Sequence, residues 1–171
     1  HSMSRPTKSA TALVAIALHV VRLQPGEACF TGAGVIHSYQ SGLGVEIMAS
    51  SDNVVRAGLT PKPVDVDLLV ELTDATPSPA PRVVPERLGA AIRYPAPVGE
   101  FGLTLVERGA ATFPAGPRIV LAVDGTATAR SDRGMVSLAR GQAAFVPAVD
   151  GELTVDAVGG TVVAEVPPPA A

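Results

Sequence analysis

Residues 37–62, HSYQSGLGVEIMASSDNVVRAGLTPK, hold most of the groups in this sequence that could do chemistry: His37, Tyr39, Glu46, Asp52, Asn53, Arg56 and Lys62. An imidazole can carry a proton or bind a metal. A carboxylate can serve as a general acid or base. A guanidinium or ammonium can hold an anion or stabilise developing negative charge. Each of these residues, taken alone, is equally an ordinary solvated loop residue. As a group they alternate with Val45, Ile47 and Met48, which read as buried, and with Gly42, Gly44 and Gly58. That pattern predicts a structured segment forming the wall of a pocket, with the charged residues around one cavity.

The remaining chemistry is thin. A catalytic zinc takes three protein ligands and an open position, and the sequence has no HxH, HxxxH or CxxC. His19 lies in an apolar run and reads as a hydrogen-bonded core or surface histidine. Cys29, between Ala28 and Phe30, reads as a small core residue rather than a nucleophile. Gly32-Ala33-Gly34 has the wrong spacing for a phosphate loop and no lysine after it. No GxSxG elbow is present.

The composition narrows the classes. The chain has 171 residues, 47% of them apolar and 17% charged. That suits one packed domain, or two small ones, rather than a disordered chain. Thirteen Lys and Arg against 16 Asp and Glu give a net charge of −3, and aromatics make up 4%. Neither a basic field nor a stacking platform exists, so nucleic acid is not an expected partner. The apolar run 12–18 is too short to span a bilayer and is read as a buried strand, so no membrane partner is expected either. One cysteine gives no disulfide framework and no sign of secretion, and a cytoplasmic location is expected. The opening His1-Ser2-Met3 reads as an expression-tag scar.

The elements that must position the polar segment are mostly strands. Seventeen Gly and 16 Pro are too many for a helix bundle. Residues 11–23 read as a strand buried on both faces or a helix entering one, 28–30 and 45–49 as short strands, and 36–39 as extended chain. Asp65 can cap one helix, Val66–Leu72, with Asp67 in its first turn. Pro77, Pro79 and Pro81 make a stiff connector. Beyond it, strands are expected at 102–106, 118–123, 126–130, 143–146, 153–157 and 161–166. Asp124-Gly125 is a hairpin signal and 131–134 a further turn. The prediction is a mainly β chain with two jelly-roll-like units: 4–76, carrying the polar segment, and 82–171, joined by 77–81.

An internal similarity supports two units. LQPGEACF at 23–30 and LARGQAAF at 138–145 share Leu, Gly, Ala and Phe at a constant offset. Each reads as a turn, a short strand with Phe inward, and a loop. Chance likeness between β-hairpins is the alternative.

Residues 23–72 closely resemble the type I mannose-6-phosphate isomerases, which are zinc-dependent cupins. The resemblance rests on Pro25-Gly26-Glu27-Ala28, Ala33-Gly34, His37, Tyr39, Ser41-Gly42, Gly44-Val45-Glu46, Met48-Ala49, Ser51 to Val54, Arg56 and Gly58 to Lys62. Residues 94–166 are similar, more loosely, to the C-terminal jelly roll of that family. The resemblance implies interconversion of mannose 6-phosphate and fructose 6-phosphate through an enediol. It implies His37 as a zinc ligand, Arg56 as catalytic and Glu46 as a possible acid/base group. Tyr39, Asp52 and Lys62 would line or support the substrate site. The partner is then a small sugar phosphate.

Some departures set limits. Gly32 stands where the family usually has proline, and Ser38 where it usually has alanine. The family's other zinc ligands, a Gln-x-His pair and a Glu, belong to a part of its fold that would precede Thr11. The expectation is therefore a C-terminal portion of the enzyme, inactive alone, with zinc absent or weakly bound. Self-association or a missing N-terminal part would complete it. The alternative is a non-catalytic cupin module that binds a sugar or a protein. Glu152, which stands in the second unit where the first has His37, favours that alternative.

Overall fold

A computed structural model describes residues 16–51, 54–58, 60–79 and 81–167. The chain divides into two compact units that interleave in sequence. One comprises His1–Leu23, Cys29–Val45 and Ser50–Pro81; the other comprises Gln24–Ala28, Glu46–Ala49 and Arg82–Ala171. Among the described residues the chain is mainly β, with one α-helix.

Two two-residue strands, β1 (Ala28–Cys29) and β2 (Arg82–Val83), precede the main β structure. The second unit is built from β3 (Glu86–Leu88), β4 (Ala91–Tyr94), β5 (Gly102–Val106), β6 (Gly109–Phe113), β7 (Arg118–Ala122), β8 (Thr126–Ser131), β9 (Gly134–Ala139), β10 (Ala143–Val146), β11 (Leu153–Ala157) and β12 (Thr161–Glu165). They form a six-stranded sheet in the order β10-β7-β12-β5-β4-β3 and a four-stranded sheet in the order β6-β11-β8-β9. The main-sheet pairings are antiparallel.

Side-chain parity explains why the sheets face each other. Val120 and Ala122 on β7, Val106 on β5 and Val163 on β12 point to one face of the six-stranded sheet. Ala127 and Ala129 on β8, and Leu153, Val155 and Ala157 on β11, do the same on the four-stranded sheet. These residues, with Phe113, Leu138 and Val146, form one buried cluster. Small alanines on β8 share this cluster with larger Leu and Val, in keeping with the close packing of protein interiors. Each buried Val or Leu contributes about 1.5–3 kcal/mol relative to exposure.

Asp124-Gly125 does not close a hairpin. It carries the chain from β7 in one sheet to β8 in the other. The N–H groups of Val123 and Asp124 both donate to the Gly160 carbonyl, at 2.9 and 3.0 Å, so the turn is held against the β11–β12 connection. Gly125 has φ +67°, and a Cβ on Gly159 would lie 2.5 Å from the Asp124 carbonyl oxygen. Two backbones meet where no side chain fits. The hairpin nearby is β8–β9, with Asp132 and Arg133 between the paired Ser131 and Gly134.

The repeat is real at its turns and fails at its phenylalanine. Gly26 and Gly141 have φ of 83° and 81°. Glu27 N–H donates to Gln24 O, and Gln142 N–H to Ala139 O, both at 2.9 Å. In each turn the fourth side chain reaches back to the first amide: Glu27 Oε2 to Gln24 N at 2.8 Å, Gln142 Oε1 to Ala139 N at 2.9 Å. Phe145, however, is exposed, because it has the opposite parity from the buried Val146 on β10.

One turn therefore titrates and its twin does not. The backbone bond from Gln24, and then the Arg82 guanidinium at 2.9 Å, hold the Glu27 carboxyl below its usual range. A depressed pKa stabilises above the unfolded value of 4.5 and loses that stabilisation as pH falls through the lower folded value. Amide NMR should show the Gln24 N–H shifting over that acid window while Ala139 N–H stays still. Parallel movement of both would disprove the assignment.

In the first unit, α1 (Val66–Leu72) forms as its sequence predicts: Asp65 accepts from Leu68 N at 3.0 Å as the N-cap. The strand expected at 45–49 is not formed. Val45 and Met48 are exposed rather than buried, as are Ile16 and Val20 in the described part of 11–23. Cys29 is exposed as well, not in a core. Apolar runs become strands only where a neighbour takes up their N–H and C=O groups. No strand pairs with these segments among the described residues.

Candidate functional site

Asp74 N–H donates to the Gly34 carbonyl at 3.0 Å, which ties the loop before His37 to the end of α1. Gly34 sits at φ +79°, and Val35 N–H closes a turn onto Gly32 O at 3.4 Å. His37 Nδ1 lies 3.0 Å from the Val35 carbonyl. A carbonyl only accepts, so Nδ1 carries the proton, and in the neutral ring the Nε2 lone pair is left to bind. The Tyr39 ring meets the His37 ring edge to face, with centroids 5.9 Å apart and 67° between planes. Gln40 Nε2 donates to Ser38 Oγ at 2.8 Å beside them, a contact the sequence did not reveal.

The other predicted residues are placed as follows. Arg56 is half-buried and Lys62 exposed, both in the first unit. Lys62 N–H donates to Thr60 Oγ1 at 3.2 Å, just before the residues that lead into α1. Glu46 is exposed and belongs to the second unit. Asp52 lies outside the described residues. Within the set, His37 and Tyr39 are brought together by their ring contact.

The zinc that the resemblance implies can be tested against the donors present. His37 offers one nitrogen of the right tautomer. Among the described residues, no group of three or more His, Cys, Asp or Glu is placed to hold a metal ion. One ligand is short of the three that a catalytic zinc takes. These residues fit a contribution to a zinc centre, not a whole one.

A depression of ≈ 300 Å³ lies on the outer face of the four-stranded sheet, lined by Ala110, Thr128, Arg130, Met135, Thr154 and Asp156. None of the predicted site residues borders it. It is the solvated side of β6, β11, β8 and β9, whose inner side makes the core.

Two facing antiparallel sheets with a strand-to-strand crossing between them define a cupin-like β fold. No family model matches the chain. It is 37% identical over 147 residues to the mannose-6-phosphate isomerase of Salmonella typhimurium, covering 83% of this chain and 38% of that protein. It is 41% identical over 152 residues to the Rattus norvegicus protein of the same name, covering 77% of this chain and 34% of that one. A crystal structure of the Salmonella typhimurium enzyme bound to fructose 6-phosphate and zinc superposes with a TM-score of 0.61 and 31% identity, over 71% of this chain and 32% of that one. The chain is a homologue of the mannose-6-phosphate isomerases over the part of them that it matches. It spans between a third and two-fifths of the length of those relatives.

No helix among the described residues is long and apolar enough to cross a membrane.

Proposed function

We propose that this chain supplies the C-terminal portion of a mannose-6-phosphate isomerase. The observation that carries the reading is the His37 loop. Its histidine is held with Nε2 free, beside Tyr39, in a chain 37% identical to a named isomerase over most of its length. The reading takes residues 4–76 as the part bearing the active-site segment and 82–171 as the C-terminal jelly roll, joined by 77–81. It places the protein in the cytoplasm.

Zinc, when bound, would polarise the oxygens on C1 and C2, the two carbons between which the proton moves. His37 would give it one ligand through Nε2. Arg56 would steady the enediolate, and Glu46 would carry the proton between C1 and C2. Tyr39, Asp52 and Lys62 would line the sugar phosphate. The remaining ligands would come from outside this chain, from a missing N-terminal part or from another copy. A non-catalytic module binding a sugar or protein is the second reading. It is favoured by the exposed Glu152 at the position that matches His37.

The test is an exchange. The matched part of the Salmonella enzyme is replaced by this chain, and conversion of mannose 6-phosphate is followed alongside the chain alone. The exchanged protein should turn over, while the chain alone should be inactive and should not take up zinc stoichiometrically in calorimetry. A folded but inactive exchange protein would overturn the isomerase reading in favour of the second.

A further inference from the structure

The loop that carries His37 contains a glycine, Gly34, that bears no functional group and yet meets the end of α1. We infer that Gly34 is the positioning residue of the His37 loop, through its contact with the C-terminal end of α1; the functional weight of the inference rests on the reading of His37 as a ligand. Three observations converge. Gly34 adopts φ +79°, a conformation that side-chain-bearing residues rarely enter. A Cβ there would lie 2.7 Å from the Leu72 carbonyl oxygen and 3.4 Å from Asp74 N. The Gly34 carbonyl meanwhile accepts the Asp74 N–H at 3.0 Å. The next residue, Val35, supplies the carbonyl that takes the His37 Nδ1 proton at 3.0 Å.

The direction of causation follows from the order of these bonds. Leu72 is the last residue of α1, and Thr73 closes the helix by donating N–H to Leu69 O at 3.0 Å and Oγ1–H to the same oxygen at 2.6 Å. Asp74 is fixed in turn by Oδ1 accepting Thr76 N–H at 2.9 Å. The helix end is thus stiff, and the loop leans on it. A methyl at position 34 cannot be accommodated by moving a flexible side chain, since what it meets is backbone. The loop must lift, the Val35 carbonyl turns with it, and His37 Nδ1 loses its acceptor. A free imidazole prefers the proton on Nε2, and the nitrogen offered for binding is then blocked. Gly32, two residues earlier, has no such constraint: nothing lies within 4 Å of a Cβ there, and its φ is not in the left-handed region.

Long-range nitrogen-15 NMR of the His37 ring in the full chain distinguishes the two tautomers without reference to catalysis. The native chain and Gly32→Ala should both show Nδ1–H as the dominant form. Gly34→Ala should invert the ratio in favour of Nε2–H. Because Gly34→Ala could unfold the loop wholesale, a second pair removes the same anchor from the helix side. Asp74→Pro deletes the N–H that Gly34 accepts, at a site where Thr73 is already extended (φ −74°, ψ 124°) as a residue before proline must be. Asp74→Ala keeps that N–H and removes only the carboxylate. Inversion in Asp74→Pro but not Asp74→Ala supports the positioning role. An unchanged Nδ1–H form in both Gly34→Ala and Asp74→Pro overturns it. That result would leave the isomerase reading untouched, and an inactive exchange protein would leave this one untouched.

Discussion

Arg118→Ala should destabilise the second unit by about 3–5 kcal/mol in urea unfolding, the range expected when a large core side chain is deleted and its charge partner left alone. Arg118 shares its inward parity with Val120 and Ala122 on β7, so its stem is part of the core. Its side chain is 1% exposed. Nε stands 3.9 Å from Glu165 Oε2, too far for a hydrogen bond, and Nη1 makes a long 3.5 Å contact with the Gly151 carbonyl. Nε and Nη2 find no hydrogen-bond partner among the described residues. Burial lowers the Arg118 pKa, and the Glu165 charge only partly offsets it.

The same geometry predicts that a shape-preserving change is tolerated. Arg118→Met with Glu165→Gln fills the same space and removes two orphaned donors and both charges. Replacements of buried ion pairs by such groups are commonly neutral or stabilising, by about 1–4 kcal/mol. Burial raises the Glu165 carboxyl above its ordinary 4.5, while Arg118 and Arg93 pull it down. The folded protein therefore takes up this proton at higher pH than the unfolded chain. The cost of the buried carboxylate is fully present above the raised folded value, is relieved as pH falls through it, and is gone below 4.5. The double variant should lose that part of the pH dependence. If it is as unstable as Arg118→Ala, the guanidinium is well paired in solution and the argument fails.

Arg118 also marks where the sequence could be read and where it could not. The strands at 102–106, 143–146 and 153–157 could be predicted residue for residue, because alternation and turn residues are local signals. So could α1, whose cap is a single aspartate. The parity that puts an arginine in the core was present in 118–122, but the usual exposure of arginine argued against using it. The Asp124-Gly125 signal specified a turn and could not specify which sheet came next, since that depends on the Gly160 carbonyl far along the chain. The segment 45–49 has strand composition without a partner among the described residues, and composition cannot supply one. For the site, the His37 and Tyr39 pair was legible as a loop of chemical residues. The support beneath it was not, because Gly34 and Asp74 are joined by backbone atoms alone, 40 positions apart.

The largest effect on turnover is expected at Arg56. In the exchanged isomerase, Arg56→Lys should reduce kcat by about 10²–10³, the loss typical of removing one preorganised donor from a developing oxyanion. The guanidinium presents a rigid fork that suits two adjacent enediolate oxygens, whereas an ammonium is a point charge with rotating donors. Because the interaction strengthens only as negative charge develops, the loss should fall on kcat, with KM little changed. The competing account gives Arg56 a structural task, pairing with Asp52 four positions before it. Lysine would keep most of that pairing, and with it most of the activity. The half-buried setting of Arg56 is compatible with either task, so the kinetic split decides between them. Steady-state kinetics of Arg56→Lys, with a melting curve matching the parent to confirm folding, makes the measurement. A fall in kcat at constant KM and constant melting temperature assigns Arg56 to the transition state. Near-normal kcat assigns it to the pair with Asp52 and removes it from the catalytic set.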